Sequence, residues 1–142
     1  MKQAVFILFF FMPFFGFAQF GISFHQSNLP FAGFNYEFKN RIRPEVRIGV
    51  DNYSEDLSLE GIVTYDFVEK EDYEFYAGLG VRTNGAFTGV VIPVGINIYP
   101  LPVKQFGFHI EFAPLIADGT SVLRGSWGIR YRFKSNDQRR NK

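Results

Sequence analysis

The side chains able to do chemistry are few and stand in three places. His25, Gln26 and Ser27 are followed by Glu37, a histidine that could take the proton of a serine hydroxyl and a carboxylate that could orient the histidine. His109 and Glu111 stand two residues apart, which puts both on one face of a strand and could offer a metal ion two ligands. Asp51, Glu55 and Asp56 form an acidic cluster with the oxygen ligands that divalent cations take. Each has a plainer reading. A three-residue pattern arises readily by chance, and a turn at Ser27 and Asn28 would use the same residues to cap strand ends. With two histidines and no cysteine, a hydrogen-bonded histidine is expected rather than a metal centre, the acidic residues are expected to be a solvated loop, and no cofactor is expected.

These residues sit in a chain of 142, 46% hydrophobic and 19% aromatic, with 19 Phe and 14 Gly. Such a composition allows one small domain and excludes a disordered chain. A net charge of +1 offers no basic stripe for nucleic acid, and the missing cysteines exclude disulfide scaffolds and thiol chemistry. Residues 1 to 18 read as a cleavable signal peptide: Lys2, an apolar stretch from Ala4 to Phe15, and small residues Gly16 and Ala18 before the cut. That stretch is short of the roughly 20 apolar residues a spanning helix needs. The mature chain, without Lys2, carries 14 basic and 14 acidic residues. Residues 134 to 142, polar and basic, read as a disordered tail.

From Gln19 to Phe133 the sequence alternates with period two, the signature of strands with unlike faces. Eight segments carry, on one face, Phe20, Ile22 and Phe24; Ala32, Phe34, Tyr36 and Phe38; Val46, Ile48 and Val50; Leu59, Val63, Tyr65 and Phe67; Tyr73, Phe75, Ala77, Leu79 and Val81; Val90 to Ile98 in steps of two; Phe106, Phe108, Ile110 and Phe112; and Gly125, Trp127, Ile129, Tyr131 and Phe133. No charge falls on that face. The connections, 26–30, 40–44, 52–57, 68–72, 83–88, 100–105 and 114–122, contain Asn, Asp, Gly or Pro. Pro93 removes a ladder donor, so a bulge or local break is expected there.

Alternation fits two inverse architectures, a soluble lipocalin-like barrel with its apolar face inward and a membrane barrel with that face toward lipid. Three features favour the second. The polar face is crowded with small residues, Gly21, Ser23, Gly33, Gly49, Gly78, Gly80, Gly95, Gly107, Ser126 and Gly128, as a narrow interior demands. Its charges balance. Pairing the second and third strands about Ile42 sets Lys39 against Glu45 and Glu37 against Arg47; Glu60, Asp66, Glu74, Arg82, Glu111, Arg130 and Arg132 complete a lumen network of near-even sign. Finally, Phe20, Phe38, Tyr65, Phe67, Tyr73, Phe75, Phe106, Phe108, Tyr131 and Phe133 fall toward one rim, as a membrane-interface belt does.

The expected architecture is therefore all-β: an eight-stranded antiparallel up-and-down transmembrane β-barrel over residues 19–133, behind a cleavable signal peptide. In these respects the sequence resembles the small eight-stranded outer-membrane β-barrel proteins of Gram-negative bacteria, the broad OmpA/OmpX/OmpW-like group. Its last strand, Trp127 to Phe133 (WGIRYRF), resembles the aromatic-ended strand that the barrel assembly machinery recognises, although nine residues follow it here. The resemblance implies an outer-membrane location with both termini periplasmic, and contact with outer-membrane lipid and lipopolysaccharide.

The expected role is structural or interactive, with no catalysis and a side-chain-filled lumen; eight strands leave an interior just wide enough for their own side chains. The alternatives are a soluble periplasmic lipocalin-like binder of an apolar ligand and an outer-membrane lipid-modifying enzyme. For the last, His25, Ser27 and Glu37 resemble the His-x-Ser plus Glu set of barrel-type lipid A deacylases, but on the first hairpin rather than near the end, and with His25 and Glu37 directed to the lumen by parity. Ligand, partner and oligomeric state are not legible in the sequence.

Overall fold

The computed structural model describes residues 18–38, 41–50, 57–85 and 88–133. The signal-peptide stretch through residue 17, Lys39, the acidic cluster Asp51, Glu55 and Asp56, and the tail 134–142 lie outside them. The strands are β1 (Ala18–Gln26), β2 (Phe31–Phe38), β3 (Ile42–Val50), β4 (Leu57–Glu69), β5 (Tyr73–Thr83), β6 (Thr88–Val91), β7 (Val94–Ile98), β8 (Phe106–Ala117) and β9 (Thr120–Arg132). β6 and β7 both pair with β5 on one side and β8 on the other, so they are two halves of one wall strand. β1 pairs with β9, which closes an eight-membered antiparallel barrel.

A path along cross-strand partners from Ala117 on β8 runs through Gly89, Arg82, Glu60, Arg47, Gly33, Ser23 and Arg130 and returns to β8 at Gly107, ten residues away. With strands about 4.8 Å apart and a rise of about 3.3 Å per residue, that offset tilts the strands roughly 40° from the axis, and each residue climbs about 2.5 Å. Alternation is kept throughout. Phe34 (62% exposed), Val94 (48%) and Phe108 (46%) face out while Glu37 (3%) and Arg47 (1%) are buried, so the lipocalin-like arrangement is not the one this chain adopts.

Three sequence expectations are corrected. β2 and β3 pair with Asn35 opposite Glu45 and Gly33 opposite Arg47, not Lys39 opposite Glu45 and Glu37 opposite Arg47. The connection is tighter than 40–44: Arg41 N donates to Phe38 O at 3.1 Å, and Pro44 lies inside β3. The expected loop 114–122 is mostly strand, closed by Asp118 and Gly119, with Gly119 at φ 73°. Pro114 fits because its carbonyl accepts from Ile92 N (3.1 Å) while its missing N–H costs only the return bond. At Pro93 the expected local break is found: the strand is interrupted, the Pro93 carbonyl accepts from Gly78 N (2.8 Å), and the register is the same on both sides. A bulge falls between Asp66 and Val68.

Glycine matters where rings cross the interior. A Cβ on Gly95 would sit 2.6 Å from the Tyr76 ring, and one on Gly107 2.6 Å from the Tyr99 ring. At Gly128 a Cβ would overlap the Phe24 carbonyl, so no side chain fits there without moving the β1 and β9 backbones apart.

Candidate functional site: the ion-pair lumen

Strand parity turns six carboxylates, Glu37, Glu45, Glu60, Asp66, Glu74 and Glu111, and six arginines, Arg43, Arg47, Arg82, Arg124, Arg130 and Arg132, into the barrel, all of them buried. Charges removed from water need partners and hydrogen bonds, and here the partners come mostly from across the barrel. Arg47 on β3 reaches Glu111 on β8 through two bonds, 2.8 and 2.7 Å, and also bonds Glu45 (2.6 Å) and Glu60 (3.0 Å). Arg124 on β9 grips Glu60 on β4 the same way, at 2.7 and 2.9 Å. In both pairs the strands lie four steps apart around an eight-membered ring, so two forked arginine–carboxylate bonds, the strongest of their kind, cross the full diameter. Phe31 has the two guanidinium groups over its ring at 4.9 and 4.5 Å. Arg82 adds Glu60 (3.5 Å) and Ser58 (3.1 Å), Tyr76 donates to Glu111 (2.7 Å), and Arg130 to Glu45 (3.1 Å).

Nearer the end where β1 starts and β9 finishes, Glu74 is a hub. One of its oxygens accepts from Arg132 (2.6 Å), Asn97 (3.3 Å) and Tyr99 (3.3 Å), with Arg43 at 3.8 Å. Arg43 bonds Asp66 (3.0 Å), and Arg132 lies 3.5 Å from Glu37.

Between the clusters, His109 Nε2 and His25 Nδ1 stand 3.0 Å apart, with His25 against Ser126 (3.4 Å) and Glu45 (3.6 Å). The His25, Ser27 and Glu37 set is not assembled. Ser27 Oγ donates to Leu29 O (2.7 Å) and accepts from Leu29 N (3.0 Å), a turn, and Glu37 is engaged with Arg132 near the far rim. Nor do His109 and Glu111 converge on a common point, since Glu111 is held by Arg47 and Tyr76. Among the described residues no group of three or more His, Cys, Asp or Glu could hold a metal ion.

The charge network read from the sequence lacks Arg43 and Arg124. Arg43 falls in the expected connection 40–44. Arg124 has the parity of the polar face of the eighth segment, but its partner Glu60 is four strands away around the barrel, beyond what alternation can show. Outside, all ten aromatic residues of the expected belt lie within about 8 Å of one another along the axis, by the register and the rise per residue. They touch in pairs such as Tyr73 with Phe75 (5.9 Å), Phe106 with Phe108 (5.4 Å) and Tyr131 with Phe133 (5.3 Å).

No family model matches the sequence, and no curated protein does. Solved structures do. The N-terminal β-barrel domain of Pseudomonas aeruginosa OprF superposes with a TM-score of 0.66 at 11% identity, over 82% of this chain and 96% of that one. The fold is that of a small eight-stranded transmembrane β-barrel. The de novo designed barrel TMB2.3 gives a TM-score of 0.64 at 15% identity, over 83% and 94%. The Yersinia pestis outer membrane protein Ail gives 0.52 at 16%, over 82% and 98%. At these identities the likeness carries the transmembrane-barrel architecture and not an activity.

Proposed function

We propose that the protein is an outer-membrane β-barrel of a Gram-negative bacterium with a structural or interaction role, its lumen filled by its own ion pairs. Residues 1–18 act as the export signal, residues 19–133 form the barrel, and 134–142 are a periplasmic tail beside the periplasmic termini. Its contacts are outer-membrane lipid and lipopolysaccharide, and the barrel assembly machinery reads Trp127 to Phe133 during insertion. The observation that carries this reading is the pair of diametric bonds, Arg47 to Glu111 and Arg124 to Glu60. They occupy the axis, where a pore would need water. The reading carries no catalytic role: His25, Ser27 and Glu37 are not brought together, and Glu111 is bonded to Arg47 and Tyr76.

The test is single-channel recording in planar bilayers, with the compact unboiled band on electrophoresis as proof of folding. Silent bilayers are expected; large steady conductance would sink the plugged-lumen reading.

A further inference from the structure

The wall of the barrel is not equally tall all round. Among the β1 side chains described, three apolar ones face outward, Phe20, Ile22 and Phe24, and the next outward residue is the exposed Gln26. That column is about 10 Å high. On β8 the outward column runs from Phe106 to Ile116, about 25 Å, which is the height of the apolar band of outer-membrane barrels. On β5, four steps from β1 around the ring, it runs from Tyr73 to Val81, about 20 Å.

The β1–β2 hairpin ends where Gln26 pairs with Trp127, whereas β9 continues to Thr120. By the alternation that makes Phe133 N donate to Phe20 O, the N–H and C=O groups of Gly125, Leu123 and Ser121 point to the side where β1 has stopped. No described strand pairs with that edge. Backbone groups left open in hydrocarbon are too costly to keep. The single tryptophan of the chain stands at this step: Trp127, 64% exposed, beside Gln26. Tryptophan next to an exposed amide marks a membrane–water interface.

We propose that the leaflet at the end opposite the start of β1 dips over β1 and β2, up to the open edge of β9. Lipid headgroups and their water meet the wall at Trp127 and Gln26, on the order of 8 Å lower than on the β4 to β8 side, given the climb per residue. They hydrogen-bond the open β9 edge, for which their mixture of donors and acceptors suits a row of alternating N–H and C=O groups. The proposal rests on membrane insertion as read above. It adds that the barrel thins the bilayer on one side only.

The experiment is depth-dependent fluorescence quenching in phosphatidylcholine vesicles brominated at successive acyl positions. The native chain reports from Trp127. The W127F/L79W double variant reports from β5, across the barrel and within about 1 Å of the same height by register; Val63→Trp on β4 replaces Leu79→Trp if that variant lacks the compact unboiled band. Shallow bromines are expected to quench the native protein at least about twofold more than deep ones, with the order reversed for the variant. Matching depth profiles would overturn the dip, return the β9 edge to an added peptide strand, and leave membrane insertion standing. Absence of quenching at every depth would overturn both.

Discussion

The two charged clusters of the lumen solve the same problem differently. In the Arg47 cluster, positive and negative groups are matched fork to fork, and each of the two diametric pairs has both carboxylate oxygens engaged. In the Glu74 cluster, one oxygen collects Arg132, Asn97 and Tyr99. The first is a cross-brace that ties opposite walls together. The second gathers β5, β7 and β9 around a single point near the rim, where Tyr99 stacks under Arg132 at 4.3 Å. Stability should therefore be lost more steeply when the brace is cut than when the hub is weakened.

Arg47→Ala is expected to have the largest effect. It takes the forked arginine from Glu111, leaving that buried carboxylate with Tyr76, and removes one of the arginine partners of Glu45 and Glu60; removing one partner of a buried pair costs about 3–5 kcal/mol. Urea unfolding in vesicles would measure it. Replacing Arg47 and Glu111 together by Met and Leu should recover most of that loss, because no charge is then left alone. A single-variant cost below about 1 kcal/mol, within the range of surface pairs, would mean that the diametric bonds are not a brace.

Glu74→Gln should cost less, about 1.5–3 kcal/mol, the worth of hydrogen bonds to a charged group, since Arg132 still has Glu37 and Arg43 still has Asp66. A cost equal to that of Arg47→Ala would erase the distinction between the clusters. The smallest effect, about 1–3 kcal/mol from overpacking, is expected for Gly95→Ala, which pushes on the Tyr76 ring and loosens its bond to Glu111. If thermal unfolding shows no loss for it, the ring does not depend on the glycine beneath.

Much of the fold was legible because a strand has a period of two. Phe34, Val46, Ile48 and Phe108 point out and Glu37, Glu45, Arg47 and Glu111 point in whatever the register, since parity survives any even shift. Register was not legible for the same reason. Pairing β2 with β3 four residues away from the true alignment keeps every side chain on its own face, so no hydrophobic penalty flags the error. Pro44 and Pro114 misled for a different cause: proline is a breaker only where its missing N–H or its ring has no room, and ladder geometry decides that. The candidate catalytic set shows the same limit. His25 and Glu37 share a face, but they stand far apart along the tilted wall, while His25 meets His109, 84 residues away.

The amino-acid sequence by itself determined the strand-rich class, the two faces, the balance of lumen charges and the aromatic rim, all of which are local consequences of side-chain alternation. Which arginine grips which carboxylate was decided only when the sheet closed. Closure with a ten-residue offset brings β3 opposite β8 and β4 opposite β9, and partners across a diameter are set by strand number and tilt, quantities that no stretch of neighbouring residues contains.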